Sequence, residues 1–248
     1  MKSVYEIVIR RRNTGKIFCI CMIFLLCFFS NSTGQYGFRT GTTVSSFYYP
    51  GSSPVPYQDY DVDLRPFLGY DVELVQTGPQ KPLISNCTGV FYNFNLVHRL
   101  GLRPELNFTQ KGVNFSRFDY EKIIYKVRIS YLELPVSLTY KFIQKANSLA
   151  ELYFGGYGAY SIRATKITAF TDTSPGRIKI TSVRDFEAGL HTGFTYKYGV
   201  LDGFILFDLR LFLGLTDIFE LPDGWTNMYF DNHKTRITGL HFSAGYEF

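Results

Sequence analysis

The last thirteen residues of the chain, RITGLHFSAGYEF, alternate in period two. Thr238, Leu240, Phe242, Ala244, Tyr246 and Phe248 share one face. Gly239, His241, Ser243, Gly245 and Glu247 share the other, with Ile237 the apolar exception at its start. Successive side chains of a β-strand point to opposite faces, so one face is oily and the other has no hydrocarbon core behind it.

The same pattern recurs upstream and predicts seven more strands. The first runs from about Gly37 to Tyr48, with Phe38, Thr40, Thr42 and Val44 opposed to Arg39, Gly41, Thr43 and Ser45. The second runs from about Thr88 to Leu96, and the third from Leu100 to Lys111, where Leu100, Leu102, Leu106 and Phe108 oppose Arg103, Glu105, Asn107 and Thr109. The fifth spans Glu151 to Thr165, with Glu151, Tyr153, Tyr157, Ser161 and Arg163 on its polar face. The sixth spans Asp185 to Tyr198, and the seventh Gly203 to Thr216, where six alternate residues from Ile205 to Leu215 face away from Asp208 and Arg210.

The fourth strand, about Tyr125 to Phe142, changes phase. Val127, Ile129 and Tyr131 are apolar at odd positions, whereas Leu132, Leu134, Val136, Leu138 and Tyr140 are apolar at even ones. A slip of one residue exchanges the two faces, so the pattern predicts a β-bulge near Tyr131 and Leu132, with Pro135 just beyond it.

Connections of alternating length support one architecture. After strands two, four and six they are short, around Val97 to Arg99, Ile143 to Ala150 and Gly199 to Asp202. After strands one, three, five and seven they are long, at about 49–87, 112–124, 166–184 and 217–235. The fold class this predicts is all-β: an eight-stranded antiparallel up-and-down transmembrane β-barrel of the outer-membrane type, with short periplasmic turns and long extracellular loops. A segment within the first long loop, DLRPFLGYDVELV, is competent for an extra strand and is read as a loop hairpin or an extension beyond the membrane.

Polarity decides against a soluble carrier barrel. Such a carrier needs an apolar lumen and a charged wall, and in water the oily stripe of the seventh strand would be an aggregation hazard. Aromatic residues near predicted strand ends, among them Tyr48, Tyr92, Tyr140, Phe142, Tyr196, Tyr198, Tyr246 and Phe248, suit the boundary between hydrocarbon and water.

The amino terminus reads as an export leader over residues 1–34. Arg10, Arg11, Arg12 and Lys16 precede an apolar run from Ile17 to Phe29, too short to span a bilayer as a helix, and Ser32 and Gly34 suit the −3 and −1 cleavage positions. Leu26 before Cys27 is too bulky for lipoprotein recognition. Removal of the leader takes Lys2, Arg10, Arg11, Arg12, Lys16 and Glu6, so basic residues fall from 26 to 21, acidic residues from 21 to 20, and net charge from +5 to +1. The basic excess therefore gives no reason to expect nucleic acid as a partner. Cys19, Cys21 and Cys27 leave as well, and the single remaining Cys87 forms neither an internal disulfide nor a thiolate cluster. The remaining residues, 35–248, form one barrel domain.

The inward-facing charges are the candidate functional constellation: Arg39, Arg103, Glu105, Glu133, Lys141, Glu151, Arg163, Glu187, His191, Lys197, Asp208, Arg210, His241 and Glu247. An eight-stranded barrel is just wide enough for its side chains to fill, so these mixed charges, with bulky Tyr153, Tyr157 and Phe212, are expected to pair and close the lumen. A narrow conducting path is the alternative. No G-x-S-x-G, phosphate loop or H-E-x-x-H occurs, and His98, His191, His233 and His241 have no metal-ligand spacing. Asp223, Asp231 and His233 in the last long loop form the lone catalytic candidate, and a hydrated loop explains them, so neither enzyme activity nor a cofactor is expected.

YLELPVSLTYKF in the fourth strand, LRPELNFTQKG in the third, YFGGYGAY in the fifth and the terminal GYEF are similar to the PorT-like outer-membrane β-barrel domain of Gram-negative bacteria. The resemblance covers nearly all of residues 35–248. It implies an outer-membrane location, an eight-stranded barrel and an accessory part in protein secretion. Expected partners are outer-membrane lipid, the outer-membrane insertion machinery and proteins at the external loops. The terminal Phe248, with Tyr246, Ala244, Phe242 and Leu240 at alternate positions, resembles the signal that this machinery reads.

Overall fold

In the computed structural model the described residues are 34–48, 80–116, 124–170, 173–179, 183–219 and 235–248. They form nine strands: β1 Gly34–Tyr48, β2 Gln80–Val97, β3 Leu100–Ser116, β4 Ile124–Lys145, β5 Ser148–Phe170, β6 Thr173–Lys179, β7 Phe186–Val200, β8 Gly203–Gly214 and β9 Arg236–Glu247. Hydrogen bonding runs in the order β4-β3-β2-β1-β9-β8-β7-β5, and β4 pairs with β5, which closes an eight-stranded antiparallel barrel. Closure leaves no free edge around the wall. The ninth strand, β6, lies outside that ring and pairs only with the far end of β5.

The three tight hairpins β2–β3, β4–β5 and β7–β8 and both ends of the barrel chain lie at one end. The strand ends that the long connections join lie at the other. The β7–β8 turn consists of Leu201 and Asp202, and Leu201 has φ 56°, an unusual backbone for a branched side chain. At the same end Phe248 donates its N–H to the Tyr36 carbonyl at 2.8 Å, so the chain terminus is bound to the first strand.

Alternation accounts for the wall. On β8 the residues Ile205, Phe207, Leu209, Leu211 and Leu213 are exposed on the outside, while Leu206, Asp208, Arg210 and Phe212 are buried inside. The same division holds along β1, β7 and β9.

Three expectations about strands change. β2 begins at Gln80, not near Thr88, so the first long connection ends earlier. The connection expected at 166–184 contains the last residues of β5 and all of β6. The segment DLRPFLGYDVELV lies outside the described residues.

The third change concerns the bulge. β4 pairs with β3 in a single register from Ser116↔Ile124 to Leu100↔Tyr140, and its odd-numbered residues from Val127 to Thr139 all face inward. The extra residue is instead Ile162 on β5: Tyr131 pairs with Ser161 and Ser130 with Arg163. The phase change in β4 has another cause, because Val127, Ile129 and Tyr131 face an apolar part of the interior rather than lipid. With Phe47, Val113, Tyr157, Ala159, Ala164, Val183, Phe212, Ile218 and Ile237 they form a hydrophobic cluster at the long-connection end of the lumen. The lumen therefore changes from charged to apolar along its axis.

Candidate functional site

The interior charges form three clusters, of which the central and turn-end ones are linked where Arg103 Nη1 donates to Thr195 Oγ1 at 3.1 Å. In the middle of the barrel, Glu105 on β3 accepts two hydrogen bonds from Arg210 on β8, Nη1 to Oε2 at 2.9 Å and Nη2 to Oε1 at 2.7 Å. Arg39 on β1 pairs with the same carboxylate and reaches Asp208 Oδ2 at 3.2 Å. Asp208 also accepts the Tyr153 hydroxyl at 2.9 Å and the Thr195 hydroxyl at 2.8 Å, while Arg210 Nε donates to the Tyr153 oxygen at 3.1 Å. Paired guanidinium and carboxylate forks of this kind are the strong form of charge-assisted hydrogen bond.

Nearer the tight turns, Arg103 on β3 pairs with Glu151 on β5, and its Nε donates to Asn93 Oδ1 at 2.7 Å. Lys197 on β7 bridges Glu151 at 3.2 Å and Glu247 at 2.8 Å. Asn93 Nδ2 donates to Glu247 Oε2 at 2.6 Å, so this cluster joins β2, β3, β5, β7 and β9.

Toward the long connections, Lys111 on β3 lies 2.6 Å from Glu133 Oε1 and 3.1 Å from Glu187 Oε1. Tyr157 donates to Glu187 at 2.6 Å. Aromatic rings surround the ammonium: Nζ is 4.3 Å from the centroid of Tyr157, 4.5 Å from Phe212 and 5.3 Å from Tyr131. Cation–π attraction adds to ion pairing where water is excluded. Beyond this cluster the apolar cap begins.

The buried charges comprise five cations, Arg39, Arg103, Lys111, Lys197 and Arg210, and six carboxylates, Glu105, Glu133, Glu151, Glu187, Asp208 and Glu247. Near balance is what a sealed interior requires, since an uncompensated buried charge is costly. His191 and His241 are buried too. His191 Nε2 is 2.7 Å from Ser137 Oγ, and His241 packs edge-on to Phe212 with centroids 4.6 Å apart. His191 Nδ1 has no hydrogen-bond partner, so the Ser137–His191 pair has no acid behind it.

Of the fourteen charges expected to face inward, twelve are buried there. Lys141 is half-buried at the turn-end rim, where Nζ donates to Asn95 Oδ1 at 2.6 Å. Arg163 is the correction: it is exposed, because the extra residue Ile162 turns the strand by one position and sends Arg163 outward. Lys111 was not among the expected charges, although it continues the odd-numbered series of Arg103, Glu105, Asn107 and Thr109. The candidate cluster Asp223, Asp231 and His233 lies outside the described residues. Among the described residues no group of His, Cys, Asp or Glu has a metal-binding arrangement.

The model of the family described as outer membrane protein beta-barrel domain matches residues 34–220. Among solved structures, the chain is similar to Ail of Yersinia pestis in complex with the heparin analogue sucrose octasulfate, at 11% identity and TM-score 0.39, over 88% of this chain and 100% of that one. It is also similar to OprG of Pseudomonas aeruginosa, at 15% identity and TM-score 0.37, over 88% and 97% of the two chains. Neisserial surface protein A aligns at 8% identity and TM-score 0.36, over 86% and 95%. No curated protein matches the chain.

Proposed function

The chain belongs to the outer membrane protein beta-barrel domain family, and from that premise we propose that it is a non-conducting barrel whose role is structural or binding, exerted through its long connections. The observation that supports this most strongly is the charge-balanced lumen. Five cations and six carboxylates from β1, β3, β4, β5, β7, β8 and β9 close on one another, and an apolar cap lies above them. An ion passing through would have to displace ion pairs that are themselves desolvated. Planar-bilayer recording tests this: at high protein density the membrane stays silent. Reproducible unit conductance would replace the reading with that of a narrow channel.

An accessory part in secretion is the second reading, and it rests on the likeness of YLELPVSLTYKF and LRPELNFTQKG to the PorT-like barrels. Deleting the gene and assaying exported proteins tests it, with unchanged secretion counting against it. In both readings residues 1–34 act as the export leader, so amino-terminal sequencing of the protein from membranes would find Gln35 first. The chain works as a binding or structural element rather than an enzyme.

A further inference from the structure

The bulge that removes Arg163 from the lumen places it on the outer wall beside other cations. Arg163 faces Ser130 in the β4–β5 ladder, and Arg128 and Lys126 follow at the next outward positions of β4. On the β3 side their register partners are Gln110, Gly112 and Asn114. The face is polar and basic. Among the described residues of β3, β4 and β5 it contains no carboxylate, since the acidic residues there are Glu105, Glu133 and Glu151, all turned into the lumen; Asp185, ahead of β7, meets β5 through its carbonyl, which accepts the Ser161 N–H at 2.8 Å.

None of the three cations is ion-paired among the described residues, and Arg128 Nε is buried without a hydrogen-bond partner. The far side of the barrel behaves differently, for there Arg236 at the start of β9 lies 3.7 Å from Asp217.

Height on the wall gives these cations a partner. Below them the outward residues of β4 are apolar from Leu132 to Phe142, ten steps that span about 34 Å along the strand and about 26 Å along the barrel axis at a 40° tilt. That equals the apolar band of an outer-membrane barrel, about 25 Å tall. On β5 the band ends at Tyr160 and Ile162, one residue before Arg163. The cations thus sit where hydrocarbon gives way to headgroups, on the long-connection side.

We propose that Arg163, Arg128 and Lys126 form a binding surface for the phosphate groups of membrane lipid in that leaflet. A guanidinium pair presents several donors in fixed forks that match phosphate oxygens. An anionic lipid whose chains lie on Leu132, Tyr160 and Ile162 brings its phosphate to these forks without leaving the bilayer. The bulge at Ile162 is the local device, because β-bulges re-aim side chains and without the extra residue Arg163 would point into the lumen.

Protein purified from outer membranes into a neutral maltoside detergent is titrated with a diphosphorylated glycolipid and with the same lipid after dephosphorylation, and bound lipid is counted by native mass spectrometry. The phosphorylated lipid is retained saturably, and the dephosphorylated one binds about tenfold more weakly or worse. The double variant Arg128→Ser/Arg163→Ser loses about the same factor, and Arg128→Lys/Arg163→Lys keeps most of the binding. A heat-dependent gel shift verifies that each variant is folded. Equal retention of the two lipids by the unaltered protein would overturn the proposal, and this arm needs no variant to fold. Unchanged binding by the folded serine variant would do the same. Displacement of the lipid by millimolar inorganic phosphate would make the patch a free-anion site and overturn the lipid assignment. The sealed-lumen reading is untouched by any of these results, since conductance measures it separately.

Discussion

Tyr153 on β5 and Gly193 on β7 are register partners, and the tyrosine occupies the space that a side chain at Gly193 would need. Tyr157 and Gly189, four residues further toward the long connections, repeat the arrangement. Two bulky rings therefore cross the lumen because the neighbouring strand offers glycines. From that position the Tyr153 hydroxyl donates to Asp208 and accepts from Arg210. Gly193→Ala is expected to destabilise the barrel by about 1–3 kcal/mol through overpacking. Gly156→Ala is the control, as the nearest atom to a Cβ there is the Gly189 carbonyl oxygen at 3.5 Å. Urea unfolding in lipid vesicles reads both, and a normal midpoint for Gly193→Ala would refute the interlock.

Glu105 holds two guanidinium groups. Glu105→Ala leaves Arg39 and Arg210 short of a shared carboxylate inside the wall, and a loss of about 3–5 kcal/mol is expected. The same unfolding assay measures it. A loss below 1 kcal/mol would mean that water already solvates the lumen.

Lys111 separates charge from apolar cap. Lys111→Met strands Glu133 and Glu187 among Tyr131, Tyr157 and Phe212 and is expected to cost about 3–5 kcal/mol, whereas Lys111→Met combined with Glu133→Gln and Glu187→Gln is expected to restore most of that loss. Failure of the triple variant to recover stability would show that the aromatic cage, not charge balance, sets the cost.

Leu201 carries the opposite expectation. It is 95% exposed with φ 56°, so its side chain contributes little packing and its backbone is strained. Leu201→Asn suits the left-handed region and is expected to stabilise the β7–β8 hairpin by up to about 1 kcal/mol. An unfolding midpoint that falls instead would assign the exposed leucine a packing role.

Phe248 stacks on Tyr36 at 5.0 Å between centroids and meets Tyr246 edge-on at 4.9 Å. If Phe248 is the assembly signal, deleting it takes away that signal and little of the wall. Insertion into the outer membrane in cells is expected to fall while refolding into detergent continues. Normal levels of the deleted form in the outer membrane would end the idea of an assembly signal.

The eight strands of the barrel, their antiparallel order and the assignment of most faces were legible in the sequence, because in a wall one residue thick the period-two pattern reports directly which solvent each side meets. Twelve of the fourteen expected lumen charges followed from that rule alone. It failed where the solvent on one side changed. Val127, Ile129 and Tyr131 looked like a lipid-facing phase and are the apolar cap of the lumen, since a hydrocarbon environment leaves the same mark whether it is bilayer or core. Arg163 was misplaced for a related reason: one extra residue on β5 reverses every later face, and Ile162 beside Arg163 does not reveal which strand of the pair holds it. Pairing across the lumen belonged to tertiary structure altogether, because partners such as Arg210 and Glu105 are far apart in sequence and meet only when the barrel closes.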